Sequence, residues 1–286
     1  MTRQYLALTF KACLRFLKYR KIPRASGDTC IVAGNGPSLK ACLTTHKAIL
    51  QDYPLVCVNR FAASPEFVEV KPTYYFMIDP NLSRESLTDD ERDVRDKLFT
   101  SLNQMATWEM HLFFPCLPGQ TILENHFPAP NLHLHMCNIF PGFTIPWIRN
   151  YIYRTGLLMP PPQNVLVVAL FEAINMGYKN IYLIGAEHSW TENMHVGDDN
   201  VLYVKHQYFS GSTESIPFSK PTATRSETFK VHEIFEAFRR TFRSYWLLRE
   251  YADSRGVTIY NATPDSYVDA FERRDLSTIG QTEALP

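Results

Sequence analysis

The sequence predicts an α/β fold built around a mostly parallel β-sheet. An apolar run near residue 30 leads through a glycine turn into a helical stretch, and later apolar runs each end in polar residues. Before residue 177, a further helical stretch leads into another such run. Short apolar runs bounded by turn residues are typical of buried parallel strands. The 286 residues suit one large domain or two small ones.

The first strand–turn–helix unit reads TCIVAGNGPSLK over residues 29–40. Backbone N–H groups at the start of a helix bind phosphate, and glycines let the backbone approach a ligand closely. The turn lacks the lysine of a P-loop and the third glycine of a dinucleotide fingerprint. It is therefore either a nucleotide- or phosphate-binding loop or only a tight connection. Its candidate binding residues are Gly34, Asn35, Gly36 and Ser38.

Two further buried strands are predicted over residues 53–60 and 73–78, and polar residues end both of them. Asn59 and Arg60 end the first, and Asp79 follows the second. Ligands of open α/β sheets bind beyond the carboxyl ends of the strands, so these three side chains are candidate ligand contacts. A simple turn or a helix cap is the alternative for each of them.

The middle of the chain predicts a solvated helix over residues 82–106 and strands over 110–114 and 131–137. The period of two in the last strand places His133, His135 and Cys137 on one face. Such a face can bind a metal, but no fourth ligand stands at motif spacing, so histidines on a half-buried strand are the preferred interpretation.

A proline-rich stretch over residues 138–163 predicts a loop with a short helix at most. A helix follows up to Met176, with Asn164 as its candidate N-cap. The apolar strand 181–185 comes next and runs into polar residues. Gly185, Glu187 and His188 are therefore candidate site residues at a further strand end.

Residues 191–228 are polar and predict an irregular segment. A loop of this length within a compact domain is usually functional or disordered, and its aromatic residues argue against disorder. It contributes three candidate site residues, His206 as a general base together with Tyr203 and Tyr208. A long helix over 228–254, a strand over 257–261 and a frayed tail over 276–286 complete the prediction.

The overall charge excludes one class of partner. Lys+Arg and Asp+Glu both number 29, so no net field attracts nucleic acid. The six cysteines form no C-x-x-C pair, which is typical of reduced thiols in a cytosolic protein. No signal peptide and no apolar run of about 18 residues is evident. We therefore expect a cytoplasmic protein.

The first 24 residues predict a basic amphipathic helix. They contain leucines and aromatic residues among seven lysines and arginines, and no acidic residue. Such a helix can lie on an anionic membrane surface, here the cytoplasmic face of the inner membrane. Alternatively, it packs on the rest of the chain or on a second subunit of a homo-oligomer.

Four strand-end motifs occur in an order that resembles a known group of proteins. They are IVAGNGPSL over residues 31–39, VNRF over 58–61, Asp79-Pro80, and GYKNIYLIG over 177–185. The series resembles bacterial sialyltransferases of the Campylobacter and Haemophilus lipooligosaccharide type, and the wider MptE-like superfamily. The ending IYNATP, over 259–264, is most similar to the branch from O-antigen gene clusters.

The resemblance implies one Rossmann-like domain over residues 25–275, a variant of the GT-A glycosyltransferase fold with helices on both faces of the sheet. A loop-rich lid would cover about 186–228. It also implies a CMP-activated nonulosonic sugar donor, a glycan or lipid-linked glycan acceptor, and no required cofactor. The product would belong to bacterial surface polysaccharide or lipopolysaccharide.

The same resemblance implies roles for individual residues. In these enzymes the glycine loop and the strand-end asparagine hold the nucleotide, lid tyrosines bind the donor phosphate, and a histidine just before the last helix is catalytic. His232 lies nearest to that histidine by position, while His206 and His188 compete with it. The chain departs from the family at three places: Asp79 for asparagine, Gln163-Asn164 for a Ser/Thr pair, and Ala186-Glu187 for Ile-Asp.

The sequence is compatible with three functions. The first is a glycosyltransferase with a histidine general base and a CMP-sugar donor. The second is an MptE-like diphosphokinase that uses ATP and Mg²⁺, for which Asp79 and Glu187 would supply paired carboxylates. The third is a nucleotide-binding module without catalysis. The clustered polar residues after Gly185 argue against this third function.

Overall fold

The computed structural model describes residues 22–79, 89–115, 126–142, 145–207, 213–220 and 227–280. Within them, the helices are α1 Ser38–Thr45, α2 Lys47–Asp52, α3 Phe67–Val70, α4 Asp89–Met105, α5 Pro146–Thr155, α6 Val165–Met176 and α7 Val231–Ser254. The strands are β1 Thr29–Ala33, β2 Leu55–Val58, β3 Tyr74–Phe76, β4 Met110–Pro115, β5 Leu132–Cys137, β6 Asn180–Ile184, β7 Met194–Val196, β8 Leu202–Gln207, β9 Thr213–Pro217, β10 Thr258–Asn261 and β11 Glu272–Arg273.

The main sheet of the described residues has eight strands in the order β11-β10-β6-β1-β2-β3-β4-β5, and every neighbouring pair is parallel. Ile31 in the centre lies opposite Leu55 of β2 and Tyr182 of β6. The chain runs outward from β1 to β5, then returns to the other side of β1 through β6. The predicted Rossmann-like α/β fold with a mostly parallel sheet is thus confirmed.

Helices cover both faces of this sheet because the central strands are apolar on both faces. Helices α5, α6 and α7 pack on one face, in a core cluster that contains Val32, Tyr74 and Phe171. Helices α1 to α4 pack on the other face, with Ile31 and Tyr75 in the second cluster. The helix α6 is buried almost all round, which explains its continuously apolar sequence.

The segment 191–228 differs from its prediction. The sequence predicts irregular chain, but β7, β8 and β9 form a three-stranded antiparallel sheet in the order β7-β8-β9. These strands are short and polar on most exposed positions, so they lack the apolar runs that mark the main sheet.

Other elements also depart from the predicted pattern. The stretch expected to hold a short helix at most contains the ten-residue α5, whose first residue Pro146 suits a helix start. In the expected tail, Leu276 and Ile279 pack into the second core cluster. The helix predicted from residue 82 is described from Asp89 to Met105. The basic segment 1–21 and the tail beyond residue 280 lie outside the described residues.

The cysteines that the structure describes, Cys30, Cys42, Cys57 and Cys137, form no disulfide bond. In the described part of the chain, no helix combines the length and the apolar character needed to cross a bilayer.

Candidate functional site

A cavity of about 430 Å³ opens at the carboxyl ends of β1, β2 and β6. Here the strand order reverses, since β1 leads outward to β2 while β6 returns on its other side. Open α/β sheets bind their ligands in the crevice at such a switch point. The lining residues come from four segments, the ends of the three strands and the start of α6: Gly34, Asn35, Gly36, Pro37, Val58, Asn59, Asn164, Val165, Leu166, Gly185, Glu187, His188, Ser189, Trp190 and Asn193.

A second cavity, of about 480 Å³, lies at the opposite edge of the sheet. It is lined by residues that precede β1, β2 and β3, including Asp28, Tyr53 and Thr73. Although it is slightly larger, it lies at the amino ends of the strands, where open α/β sheets do not bind their ligands. We therefore place the functional site in the cavity at the carboxyl ends.

The floor of the site is a close contact between the loops that follow β1 and β6. The N–H of Gly34 donates to the carbonyl of Ile184 at 2.8 Å, and the N–H of Gly36 donates to the carbonyl of Gly185 at 2.9 Å. An added Cβ on Gly34 would lie 2.3 Å from the Gly185 oxygen. The glycines are thus required by the approach of two backbones, whatever ligand binds above them.

The start of α1 is occupied by a side chain of the protein. The N–H of Ser38 donates to Oε1 of Glu187 at 2.6 Å, and an added Cβ on Gly36 would lie 1.6 Å from Oε2. A carboxylate is favoured at this end of a helix by the unpaired N–H groups and the helix dipole. The position that the sequence offers to a phosphate therefore holds the carboxylate of Glu187.

A buried hydrogen-bond chain holds His188 beside the cavity. Its Nε2 lies 2.7 Å from the hydroxyl oxygen of Tyr245 on α7, and Asn164 Nδ2 donates to the same oxygen at 3.1 Å. The side-chain oxygen of Asn164 accepts from the N–H of Val167, so this residue caps α6 as predicted. His188 adopts a left-handed backbone conformation with φ of 53°.

Burial sets the protonation states of His188 and Tyr245. It lowers the pKa of His188 to about 4, because the surrounding protein disfavours the charged imidazolium. Burial also raises the pKa of Tyr245 well above its ordinary value. Near neutral pH the cavity therefore presents a neutral imidazole next to a neutral phenol.

Trp190 adds a flat aromatic wall to the cavity. Its ring stacks on His188 with 4.2 Å between ring centroids, and Phe238 of α7 stacks with it at 5.1 Å. The Trp190 side chain keeps 38% exposure, so part of the ring remains open to a ligand. Aromatic faces stack on bases and on the apolar faces of sugar rings.

The structure brings most of the predicted site residues together. Ser38 lies just behind the lining, in contact with Glu187. The predicted residues that line the cavity are Gly34, Asn35, Gly36, Asn59, Asn164, Gly185, Glu187 and His188. Asn35 reaches the end of β2, where its Nδ2 donates to the carbonyl of Val58, the residue before Asn59, at 3.1 Å.

Other predicted residues do not line this cavity. Arg60 and Asp79 are exposed, and neither belongs to the lining. Tyr203 donates from its hydroxyl to Asp199 at 2.8 Å in the small sheet. His232 is exposed in the first turn of α7. None of these four residues lines the cavity as described, so the donor-site roles of Arg60, Asp79 and Tyr203 and the catalytic role of His232 stay predictions.

The leading base candidate of the sequence is described only in part. His206 lies in β8 with its backbone opposite Glu214, and its side chain is outside the description. Tyr208 lies outside the described residues altogether. Of the three histidines considered, His188 is the one that the described structure places in the cavity.

Sequence reasoning missed Trp190 and Tyr245 as site residues. Trp190 had a visible signal, because a tryptophan closely follows a Glu-His pair at a strand end. Tyr245 had none, since it belongs to the apolar side of α7 and meets His188 across 57 residues of sequence.

The predicted histidine-bearing strand face is present in β5. His111 Nδ1 lies 2.8 Å from His135 Nε2, and His133 Nε2 lies 2.5 Å from Glu109 Oε2. Burial, followed by the neighbouring His133, lowers the pKa of His111. Among the described residues no cluster of three or more ligating side chains is arranged to hold a metal ion.

No protein-family model and no curated protein matches the sequence. Among solved structures, the chain is similar to the MAf glycosyltransferase from Magnetospirillum magneticum AMB-1, with a TM-score of 0.50 and 10% sequence identity. The likeness covers 95% of this chain but 39% of that one. This chain thus spans well under half the length of that protein, and the likeness concerns the fold.

The glycine contacts predict a loss of stability when Gly34 or Gly36 is replaced. Gly34→Ala forces its Cβ against a backbone oxygen, and Gly36→Ala forces its Cβ against Glu187, so each should lower the free energy of unfolding by about 1–3 kcal/mol. Gly27→Ala is the control, since no atom lies within 4 Å of its added Cβ. Urea unfolding measures all three. Equal stability of the Gly34 and Gly27 variants would contradict the close contact.

The neutral His188 predicts a pH-dependent stability. Its pKa of about 4 in the folded state lies below the 6.5 of an unperturbed histidine, so the unfolded chain binds the proton more readily between these values. The contribution of the neutral His188 to the free energy of unfolding is complete above pH 6.5 and is lost as the pH falls towards 4. Between pH 7 and pH 5 the wild type should therefore lose about 2 kcal/mol more than His188→Asn.

Asparagine is the replacement of choice because it tolerates the left-handed backbone of His188. His232→Asn serves as the matched control, since it makes the same replacement at a histidine that is exposed in the first turn of α7. Urea unfolding at the two pH values gives the comparison. Parallel pH dependences of the wild type and His188→Asn would show that His188 is not held neutral by burial.

Proposed function

We propose that the protein is a glycosyltransferase of bacterial surface-polysaccharide synthesis. It would transfer a nonulosonic sugar from a CMP-activated donor to a glycan or lipid-linked glycan acceptor. The observation that carries this proposal is the neutral imidazole of His188, held beside a carboxylate and an aromatic wall in the switch-point cavity. The fold likeness to a glycosyltransferase and the strand-end motifs support it.

We place the donor phosphate at the start of α6 rather than at the start of α1. Glu187 already satisfies the N–H of Ser38, and its negative charge would repel a phosphate there. The first residues of α6, Val165 and Leu166, line the cavity beside Asn164. A twelve-residue helix presents N–H groups and its positive dipole end at this point.

The nucleoside would then lie over the glycine floor. Asn35 and Asn59 supply polar contacts near the end of β2, and Trp190 supplies a stacking surface. The carboxylate of Glu187 can accept hydrogen bonds from ribose or sugar hydroxyls. This arrangement retains the predicted donor role of Glu187 and assigns the phosphate to a different helix.

His188 would act as the general base. The acceptor oxygen forms a bond to the anomeric carbon as its proton passes to the imidazole, and the bond from that carbon to the phosphate oxygen breaks, which releases CMP. We assign the base role to the tautomer whose Nε2–H donates to Tyr245, because Nδ1 then has a free lone pair. The negative phosphate of the bound donor would raise the pKa of His188 and strengthen it as a base.

The diphosphokinase alternative has less support from the site. It needs carboxylates that share Mg²⁺ next to the phosphates. In the described residues Asp79 does not line the cavity, and Glu187 is already bonded to the backbone of α1. A nucleotide-binding module without catalysis remains as the competing outcome of the experiments below.

A thermal-shift measurement tests the nucleotide assignment. CMP should raise the melting temperature in the absence of metal, and ATP with Mg²⁺ should raise it less, because ligands that bind only the folded state stabilise it. Asn164→Asp retains the helix cap and adds a negative charge at the proposed phosphate position, so it should remove most of the CMP shift. Stabilisation by ATP only with Mg²⁺ would instead support phosphoryl transfer.

A kinetic comparison tests the base. With a CMP-sugar, kcat/KM should stay level from pH 7 down to about pH 5.5, because it follows the pKa of the free protein, while kcat should fall at a higher pH. Tyr245→Phe should lower kcat by about 10- to 100-fold, since the imidazole loses its orienting hydroxyl. An acid limb of kcat/KM near pH 6.5 would point to a different histidine, such as His206.

Tyr251→Phe is the matched control for this variant. Tyr251 lies on the same helix, is equally buried, and bonds to the side chain of Asn175 at 2.6 Å, remote from the cavity. Both variants remove one buried hydroxyl, so an equal loss of kcat would mean that Tyr245 acts only through stability. His188→Asn and His206→Ala complete the set, and full turnover in both would exclude a histidine base at either position.

A further inference from the structure

One face of α5 exposes large aromatic side chains. Trp147 is 73% exposed and Tyr151 is 69% exposed, and their spacing of four residues places them on the same side of the helix. Ile145, just before the helix, is 59% exposed. The opposite side is fixed to the protein, since Tyr153 is buried and donates to the carbonyl of Gly142.

The charges around this face are mainly positive. Helix α5 contains two arginines and no acidic residue. Arg149 pairs with Glu250 at 2.7 Å, and Arg243 approaches the same carboxylate at 3.8 Å, so two cations share one anion. Arg154 is exposed and follows Tyr151 by three residues, on the same stripe. Tryptophan, tyrosine and arginine together suit the headgroup region of an anionic bilayer.

The chain enters the described structure near this helix. The N–H of Ala25 donates to the carbonyl of Met176, and the neighbouring Asn175 donates to the carbonyl of Tyr153 in α5. The preceding 24 residues carry seven lysines and arginines and no acidic residue. A strongly basic stretch of sequence therefore leads into a segment that lies near helix α5.

We propose that the α5 face, defined by Ile145, Trp147, Tyr151 and Arg154, docks on an anionic lipid bilayer. The aromatic rings enter the headgroup region and Arg154 contacts lipid phosphates, while the positive charge of the sequence before Ala25 adds to the attraction. A protein partner with an acidic surface is less well matched, because two largely exposed aromatic rings would need a complementary apolar pocket. This proposal does not depend on the glycosyltransferase proposal.

Sedimentation of the full chain with lipid vesicles tests the docking. Vesicles of phosphatidylcholine with about one third phosphatidylglycerol should bind the protein, and those of phosphatidylcholine alone should bind it much less. The double variant Trp147→Ser/Tyr151→Ser should bind at least about tenfold more weakly, because it loses the apolar contact. Arg154→Gln should bind about fivefold more weakly, and high salt should weaken all binding.

The control replaces exposed apolar residues elsewhere. Val68→Ser/Val196→Ser changes two side chains that are 37% and 52% exposed and lie outside the α5 face, and it should bind vesicles like the wild type. Circular dichroism checks that every variant melts like the wild type. Binding undiminished in the double variant, or no binding to anionic vesicles, would overturn the proposal.

Light scattering without lipid tests whether a second copy of the chain, rather than a bilayer, occupies the α5 face. The proposal expects that the double variant leaves the molar mass unchanged. A dimeric wild type that becomes monomeric in the double variant would show that the face joins two copies of the chain, and this would also overturn the proposal. None of these measurements uses enzymatic activity, so their outcome is independent of the test of the proposed transferase.

Discussion

The close approach of the loops after β1 and β6 determines how the candidate site is built. Gly34 and Gly185 face one another so closely that a Cβ on either would lie within about 2.5 Å of the other's carbonyl oxygen. Because the backbones meet, the residues that follow β6 are carried over the start of α1. Glu187 reaches the N–H of Ser38 for this reason, and His188 then turns towards α7 through a left-handed backbone conformation.

The same residues serve the fold and the site. Asn164 caps α6 and also donates to Tyr245, and Tyr245 is fully buried in the core cluster while its hydroxyl meets His188. The burial that stabilises this helix packing also keeps the imidazole neutral. A substitution here alters stability and chemistry together, so a loss of activity is informative only beside a control with equal burial.

The sequence predicted the central strands of the main sheet because they are apolar and end in turn residues, whereas the two charged residues of β11 gave no such signal. It also predicted most of the cavity lining, since residues at the carboxyl ends of neighbouring parallel strands must converge. Contacts between distant segments could not be read in this way. Tyr245 looked like one more apolar residue of α7, and the short polar strands of the small antiparallel sheet carry too weak an alternation to stand out. The aromatic stripe of α5 was hidden in a stretch dominated by prolines.

Two helix starts meet at the cavity, and they are not equivalent. At α1 the carboxylate of Glu187 neutralises the helix dipole, and this end therefore favours neutral hydroxyl groups over a second anion. At α6 the cap is the uncharged Asn164, and the positive end of a twelve-residue helix remains uncompensated by any acidic residue of its first turn. A ligand that carries both a phosphate and a sugar would thus be oriented by this difference alone, with its anionic group towards α6 and its hydroxyl groups towards Glu187. Such an orientation would bring the bond between the sugar and the phosphate close to the hydrogen-bond chain formed by Asn164, Tyr245 and His188.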